Sequence, residues 1–190
     1  VVKQVKEMLG GNAVPLQVPI GAEENFRGVV DLITNEAVVW NEDDYGMTYK
    51  TIPIPEDLVQ IVADQRVQML ESVAEYDEAI MEKYFDDPDS ITPDEIRAAI
   101  RAAVVDMKIV PMMAGSSFKN KGVQAMLDAV CAFLPSPLDV EAVEGIDPRT
   151  DAPAFRKPNV TEPFAALAFK IATDPFVGRL AFMRVYSGKL

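Results

Sequence analysis

A short apolar run, a small polar loop and an amphipathic helix follow one another over residues 109–134. This order constrains the fold more than any other feature of the sequence. The run Ile109–Met113 is typical of a buried strand in a parallel sheet. The helix predicted over Val123–Leu134 has apolar residues at i, i+3, i+4, i+7, i+8 and i+11, which predicts one buried face. Those residues are Val123, Met126, Leu127, Val130, Cys131 and Leu134. A strand, a polar turn and a helix form an α/β corner, where backbone N–H groups can face a ligand.

The residues before this corner predict a unit that mixes helices and strands. Two apolar, β-branched runs, Phe26–Ile33 and Ala37–Trp40, flank Thr34-Asn35 and predict a hairpin. Pro55 is predicted to take the first position of a long helix. The apolar side of that helix comprises Leu58, Ile61, Val62, Met69, Leu70 and Val73. A shorter helix is predicted over Glu78–Phe85. Thr92-Pro93-Asp94-Glu95 predicts the start of a further helix with a capping box.

The residues after Pro135 have a different character. The segment Val140–Val160 is rich in proline, glycine and charge, which is typical of a linker between domains. Two strands are predicted over Phe164–Ala172 and Arg179–Ser187, joined by a turn that begins at Asp174-Pro175. The sequence therefore predicts that a second, β-rich region follows the α/β corner.

Charge and cysteine content exclude several classes of protein. The net charge is −12, and residues 1–155 carry 12 Lys and Arg against 28 Asp and Glu. So acidic a segment is expected to bind nucleic acid poorly, because binding requires Lys and Arg side chains that neutralise the phosphates. Residues 156–190 carry 6 basic against 2 acidic residues, which leaves RNA contact open for this tail. The single cysteine, Cys131, excludes an internal disulfide and is predicted to be a small core residue. No apolar run is long enough for a membrane span, so we expect a cytoplasmic protein.

Residues 18–23, 115–123, 134–139 and 165–180 form four strings that together resemble one family, elongation factor G, the ribosomal translocation GTPase. The loop at 115–123, Gly-Ser-Ser-Phe-Lys-Asn-Lys-Gly-Val, is similar to the fifth guanine-nucleotide motif of that family, with Ser117 where the family usually has alanine. Residues 18–23 resemble the entry to the G′ insertion of that family. Residues 134–139 resemble the exit from its G domain, and residues 165–180 resemble the opening of its second domain.

The resemblance implies an α/β fold in which an α+β G′ insertion sits on a partial P-loop-type G domain, with an incomplete β-barrel at the C-terminus. Residues 1–13 are then the end of a G-domain helix, and residues 14–107 are the G′ insertion. Residues 108–139 are the C-terminal part of the G domain, 140–157 a linker, and 158–190 the start of domain II.

The resemblance also implies a nucleotide contact at the loop. In the family, backbone N–H groups of this motif approach the guanine O6, which corresponds to Ser116, Ser117 and Phe118 here. Considered without the resemblance, the same loop is equally explained as a structural turn. The sequence has no G-x-x-x-x-G-K-[ST] phosphate loop, no Asn-Lys-x-Asp and no histidine. We expect the magnesium and catalytic motifs to be missing as well. We therefore expect an internal fragment that is inactive alone and binds no cofactor or metal, from a parent that binds GTP and GDP.

An acidic stretch is the second candidate site. Residues 55–95 contain thirteen Asp or Glu and only two basic residues, Arg66 and Lys83. Glu71, Glu75 and Glu78 are spaced i, i+4, i+7, which predicts one face of a helix. This face is either simply solvated or a docking patch for a basic partner. The resemblance implies the ribosome and its stalk protein as partners. An alternative function is therefore an autonomous acidic module that docks the stalk protein without binding nucleotide.

Overall fold

Two units make up the chain in the computed structural model, which describes residues 1–147 and 149–190. The first unit is Val1–Leu134 and the second is Pro135–Leu190. The division falls directly after the α/β corner and before Pro135 and Pro137. The finer boundaries that the resemblance implies inside the first unit remain a prediction.

The first unit combines helices with two small sheets. Its helices are α1 (Val2–Leu9), α2 (Val59–Ala74), α3 (Glu78–Asp86), α4 (Pro93–Val105) and α5 (Val123–Phe133). Its strands are β1 (Ala13–Pro15), β2 (Gln17–Ile20), β3 (Gly28–Asp31), β4 (Glu36–Trp40), β5 (Tyr49–Ile52) and β6 (Val110–Met112). This mixture agrees with the predicted fold class.

Strands β2 to β5 form an antiparallel sheet in chain order. The predicted hairpin is confirmed, since β3 pairs with β4 and Val30 lies opposite Ala37. The turn between them is fixed by Asp31, whose Oδ1 accepts hydrogen bonds from the N–H groups of Ile33 and Thr34. Such a local carboxylate bond is a common way to start a turn. This sheet packs through its buried residues on α2 and α4.

Strands β1 and β6 form a separate parallel pair, in which Val14 lies opposite Pro111. The prediction of a parallel strand before the loop is therefore confirmed. The prediction that this strand is buried holds only in part, because Ile109 is buried whereas 46% of Val110 is exposed. In the described part of the chain, β1 is the only strand that pairs with β6.

The core of the first unit is built by helices α2 and α4 against the sheets. Val62, Met69, Leu70 and Val73 of α2 are buried as predicted, whereas Ile61 is exposed. Pro55 does not take the first helical position. It precedes a short 3-10 turn, Glu56–Leu58, from which α2 continues.

Helix α5 buries a different face from the predicted one. Phe133 is buried, and Ala129 and Ala132 pack against the core. The residues predicted to be buried, Met126, Leu127, Val130, Cys131 and Leu134, are exposed. The i, i+3, i+4 pattern identifies an apolar stripe but not its contacts. In α5 the alanines lie beside this stripe, and their small side chains allow that face of the helix to pack against the core. The prediction that Cys131 is a core residue is therefore wrong.

Helix α4 begins with the predicted capping box. Glu95 Oε2 accepts from the N–H of Thr92 at 2.9 Å, and Thr92 Oγ1 accepts from the N–H of Glu95 at 3.4 Å. Lys83 Nζ of α3 donates to Glu95 Oε1 at 2.5 Å. The bond from Lys83, followed by the bonds from Thr92, lowers the pKa of Glu95 from 4.5 to about 2. Glu95 therefore joins two helices through its charge.

We expect Glu95→Gln to destabilise the chain near neutral pH and to lose this effect in acid. Because the folded pKa lies below the unfolded one, the carboxylate stabilises the fold above about pH 4.5 and stops doing so as the pH falls toward about 2. Thermal unfolding of wild type and variant should therefore differ near neutral pH and converge at low pH. A difference that is constant with pH would contradict a charge-dependent role.

The second unit contains two hairpins. Its strands are β7 (Val143–Ile146), β8 (Pro153–Arg156), β9 (Ala165–Asp174) and β10 (Gly178–Ser187). The predicted pair is confirmed as β9 and β10, and Asp174 Oδ1 accepts from the N–H groups of Phe176 and Val177 in the turn. The segment predicted as a linker over 140–157 instead contains the hairpin β7–β8. The described strands form no closed sheet, so barrel closure is not seen.

Candidate functional site

The loop after β6 is closed by a pair of backbone hydrogen bonds. The N–H of Ser116 donates to the carbonyl of Lys121 at 2.8 Å, and the N–H of Lys121 donates to the carbonyl of Ser116 at 2.9 Å. Between them, Ser117–Lys119 form one 3-10 turn. Asn120 and Gly122 have φ values of 51° and 85°, the left-handed region that asparagine and glycine tolerate best. The loop therefore has a defined shape without any ligand.

Two of the three predicted amides differ from that of Ser116 in their hydrogen bonding. The N–H groups of Ser117 and Phe118 are the first two of the 3-10 turn, and no backbone acceptor for them occurs among the described residues. The amide of Ser116 is already bonded to the carbonyl of Lys121, and whether Ser116 contacts a ligand remains a prediction. Free N–H groups at the start of a helical turn favour an acceptor atom of a ligand.

A cavity of about 300 Å³ adjoins Ser117. The side chains around it include Ala114, Ser117, Val123, Met126 and Leu127. Leu127 is 60% exposed and Met126 is 54% exposed. These apolar side chains of α5 therefore do not pack in the core and instead form part of the cavity wall. An apolar wall with a few directed polar groups suits a flat heterocycle that carries a hydrogen-bond acceptor.

The antiparallel sheet holds the loop from its other side. Lys121 Nζ donates to the carbonyl of Phe26 at 3.0 Å and to Glu42 Oε1 at 2.6 Å. Lys119 Nζ donates to the carbonyl of Glu24 at 3.1 Å. Gln124 Nε2 donates to the carbonyl of Gly46 at 3.3 Å. Sequence reasoning missed these contacts, because the partners lie 78 to 95 residues away and leave no local signal.

Sequence reasoning also missed one Asp-x-x-Gly spacing, at residues 43–46. The structure places it in the turn between β4 and β5. There the carboxylate of Asp44 accepts from the N–H groups of Met47 and Thr48 and from the Thr48 hydroxyl. The hydroxyl bond, followed by the backbone bonds, lowers the pKa of Asp44. These bonds explain Asp44 as a turn residue, and Asp43, the first residue of the spacing, donates its N–H to Asn41 Oδ1 in the same turn.

Glu71, Glu75 and Glu78 do not share one helix face. Glu71 lies in the last turn of α2, Glu75 ends that helix, and Glu78 begins α3. The break comes at Asp77, whose side chain caps α3 by accepting from the N–H groups of Ala79 and Ile80. All three glutamates are nevertheless exposed. Whether they bind a partner remains a prediction.

Both cations of the acidic stretch are already engaged. Lys83 pairs with Glu95, and Arg66 Nη1 donates to the carbonyls of Leu32 and Ile33. Glu71 accepts from the Tyr84 hydroxyl at 3.0 Å, which joins α2 to α3. Neither cation therefore contacts Glu71, Glu75 or Glu78, so the negative charge of these side chains is available to a partner.

The described part of the chain lacks two further features. No group of three or more His, Cys, Asp or Glu side chains is placed to hold a metal ion. None of the helices combines the length and the apolar character that crossing a membrane requires.

Known proteins share this segment over its whole length. The chain is 64% identical to a protein of Amoebophilus asiaticus and 64% identical to one of Cytophaga hutchinsonii, both named Elongation factor G. It is 52% identical to the protein of the same name from Karelsulcia muelleri. All of the chain is matched in each case, and it spans 27% of the length of these relatives.

The fold also has a counterpart among solved structures. A crystal structure of a protein from Thermus thermophilus superposes with a TM-score of 0.73, covering 99% of this chain and 25% of that one. Its 22% sequence identity makes this a likeness of fold. No family model matches the chain.

Proposed function

Because the chain belongs to the elongation factor G family, we propose that it forms part of a cytoplasmic GTPase that promotes ribosomal translocation. The full-length match to three proteins of that name supports this proposal most directly. Within the protein, this segment supplies the loop that contacts the guanine base. The alternative of an autonomous docking module gains no support, since each relative contains the segment within a longer elongation factor.

The base contact is made by the amides of Ser117 and Phe118. Neither N–H group has a backbone acceptor among the described residues, and Ser117 lines the cavity beside α5. Guanine presents an oxygen at position 6, which accepts such bonds, whereas adenine presents an amino group. The loop provides only part of the binding energy for GTP or GDP. The phosphates need the cradle and the magnesium site that other parts of a G domain supply.

The same proposal assigns partners to the two units. The ribosome is the partner of the whole factor. The acidic surface of α2 and α3 docks the basic stalk protein. The β9–β10 hairpin, which carries three of the six basic residues of 156–190, lies toward ribosomal RNA.

We expect Ser117→Pro to weaken guanine nucleotide binding by about tenfold, because it deletes one N–H donor to a buried acceptor. Proline fits this position. It is the first residue of the 3-10 turn, and Ser116 before it is extended, with φ −132° and ψ 94°. Residues that precede proline favour that conformation. The measurement is the Kd for GDP in a full-length elongation factor G that carries this segment.

Ser117→Ala is the matched control. It removes the hydroxyl but keeps the N–H, so the Kd for GDP should stay unchanged. Equal weakening by both variants would assign the contact to the hydroxyl. A folded Ser117→Pro protein with the wild-type Kd would contradict the proposed base contact.

A further inference from the structure

Lys121 is the most deeply buried charged residue of the described chain. Only 2% of it is exposed, and the other buried polar residues, Gln17 and Ser187, are neutral. Removing an ammonium group from water is unfavourable unless it is paired and hydrogen-bonded. The environment of Lys121 must therefore offset this cost.

Two acceptors from the antiparallel sheet meet the ammonium. The carbonyl of Phe26 lies just before β3, at 3.0 Å, and Glu42 follows β4, at 2.6 Å. The ring of Phe26 stacks on Trp40 with centroids 6.5 Å apart, and both residues are buried. The Lys121 hydrogen bond and charge lower the pKa of Glu42. The side chain of Lys121 is thus attached to a packed part of the sheet.

The main chain of Lys121 closes the candidate base loop through its two hydrogen bonds with Ser116. The position of Lys121 therefore sets the orientation of the turn that begins at Ser117. The turn between β4 and β5 also touches the preceding residue of the loop, Asn120. A Cβ atom at Gly46 would lie 2.6 Å from the carbonyl oxygen of Asn120. The loop has little room to shift while these contacts persist.

We propose that Lys121 is a positioning residue for base recognition. Its buried ammonium anchors the loop to the sheet and directs the amides of Ser117 and Phe118 toward the 6-oxo group of a purine. This inference rests on the proposed function, and it adds a residue that touches no nucleotide. Because the amides must face an acceptor, Lys121 controls selectivity for a 6-oxo over a 6-amino purine as well as affinity.

The test is Lys121→Met in a full-length elongation factor G that carries this segment. Methionine keeps most of the apolar volume and removes the charge. The measured quantities are the Kd for GDP and the Kd for 2,6-diaminopurine riboside diphosphate, which carries an amino group at position 6. We expect GDP to bind about tenfold more weakly, since a charge-assisted anchor is lost, and the ratio of the two Kd values to move toward unity.

Lys50→Met is the matched control, because it removes an exposed ammonium from β5 of the same sheet. It should change neither value.

The outcomes separate positioning from simple stabilisation. Equal weakening of both ligands would overturn the inference, because a smaller folded fraction affects both alike. If Lys121→Met does not fold, the same two Kd values are measured for Glu42→Gln. This variant should fold, because 74% of the Glu42 side chain is exposed and glutamine keeps an acceptor for Lys121. A wild-type ratio in Glu42→Gln would then overturn the inference. If Ser117→Pro weakens GDP binding but Lys121→Met changes nothing, the proposed function stands and this inference fails. A wild-type protein that does not distinguish the two ligands would overturn both.

Discussion

Replacing Gly28 with alanine is expected to destabilise the first unit by about 3 kcal/mol, because the new methyl group has no space. A Cβ atom at Gly28 would lie 2.1 Å from the carbonyl oxygen of Val38 and 3.0 Å from the Cα atom of Val39. Both atoms belong to the backbone of β4, so no side-chain rotation can relieve the overlap. Gly28 pairs directly with Val39, and the two strands must separate or shift.

Urea unfolding, followed by the fluorescence of Trp40, measures this effect. Trp40 is the only tryptophan of the chain and is buried at the end of β4. The control is Gly11→Ala, whose Cβ atom would make an ordinary contact at 3.4 Å with Val5 Cγ1. We expect that change to stay within about 1 kcal/mol. If Gly28→Ala unfolds at the same urea concentration as Gly11→Ala, the β3–β4 register described here is wrong.

Local chemistry explains the parts of the fold that could be predicted from the sequence. The capping box at Thr92 and Glu95 and the turn between β3 and β4 depend on residues at most three positions apart. Their signals are complete within a few residues. The parallel strand before the base loop was also predictable, because apolar residues next to a glycine-containing loop are typical of such strands.

Contacts between distant segments explain the errors. The anchoring of Lys121 by Phe26 and Glu42 links segments that no pattern connects. Helix α5 packs its alanines against the core. The apolar period of its sequence does not determine which face is buried.

One error was avoidable. The sequence itself predicts a helix start at Glu78, and Asp77 before it is a favourable N-cap. Placing Glu71, Glu75 and Glu78 on one continuous helix was inconsistent with that start. The spacing rule applies only within one helix. Here a turn at Glu75-Tyr76 separates α2 from α3.

Replacing Glu71, Glu75 and Glu78 together with lysine is expected to slow association with the proposed partner, the stalk protein, by at least about tenfold at low salt. All three side chains are exposed where α2 ends and α3 begins. Arg66 and Lys83 are engaged elsewhere, so they do not neutralise this surface. Attraction to a basic partner would become repulsion. Because salt screens exposed charges, the effect should shrink as ionic strength rises.

A matched triple variant tests whether position matters rather than net charge. Glu7, Glu141 and Glu144 are exposed and lie outside α2 and α3. Their replacement with lysine changes the net charge by the same amount. Glu71 also accepts a hydrogen bond from the Tyr84 hydroxyl, so circular dichroism must show that the first triple variant is folded. A double variant that replaces only Glu75 and Glu78 keeps this bond and measures the effect on docking without its loss. If the two triple variants slow association equally, attraction depends on the total charge of the chain. The surface at α2 and α3 would then be an ordinary solvated face.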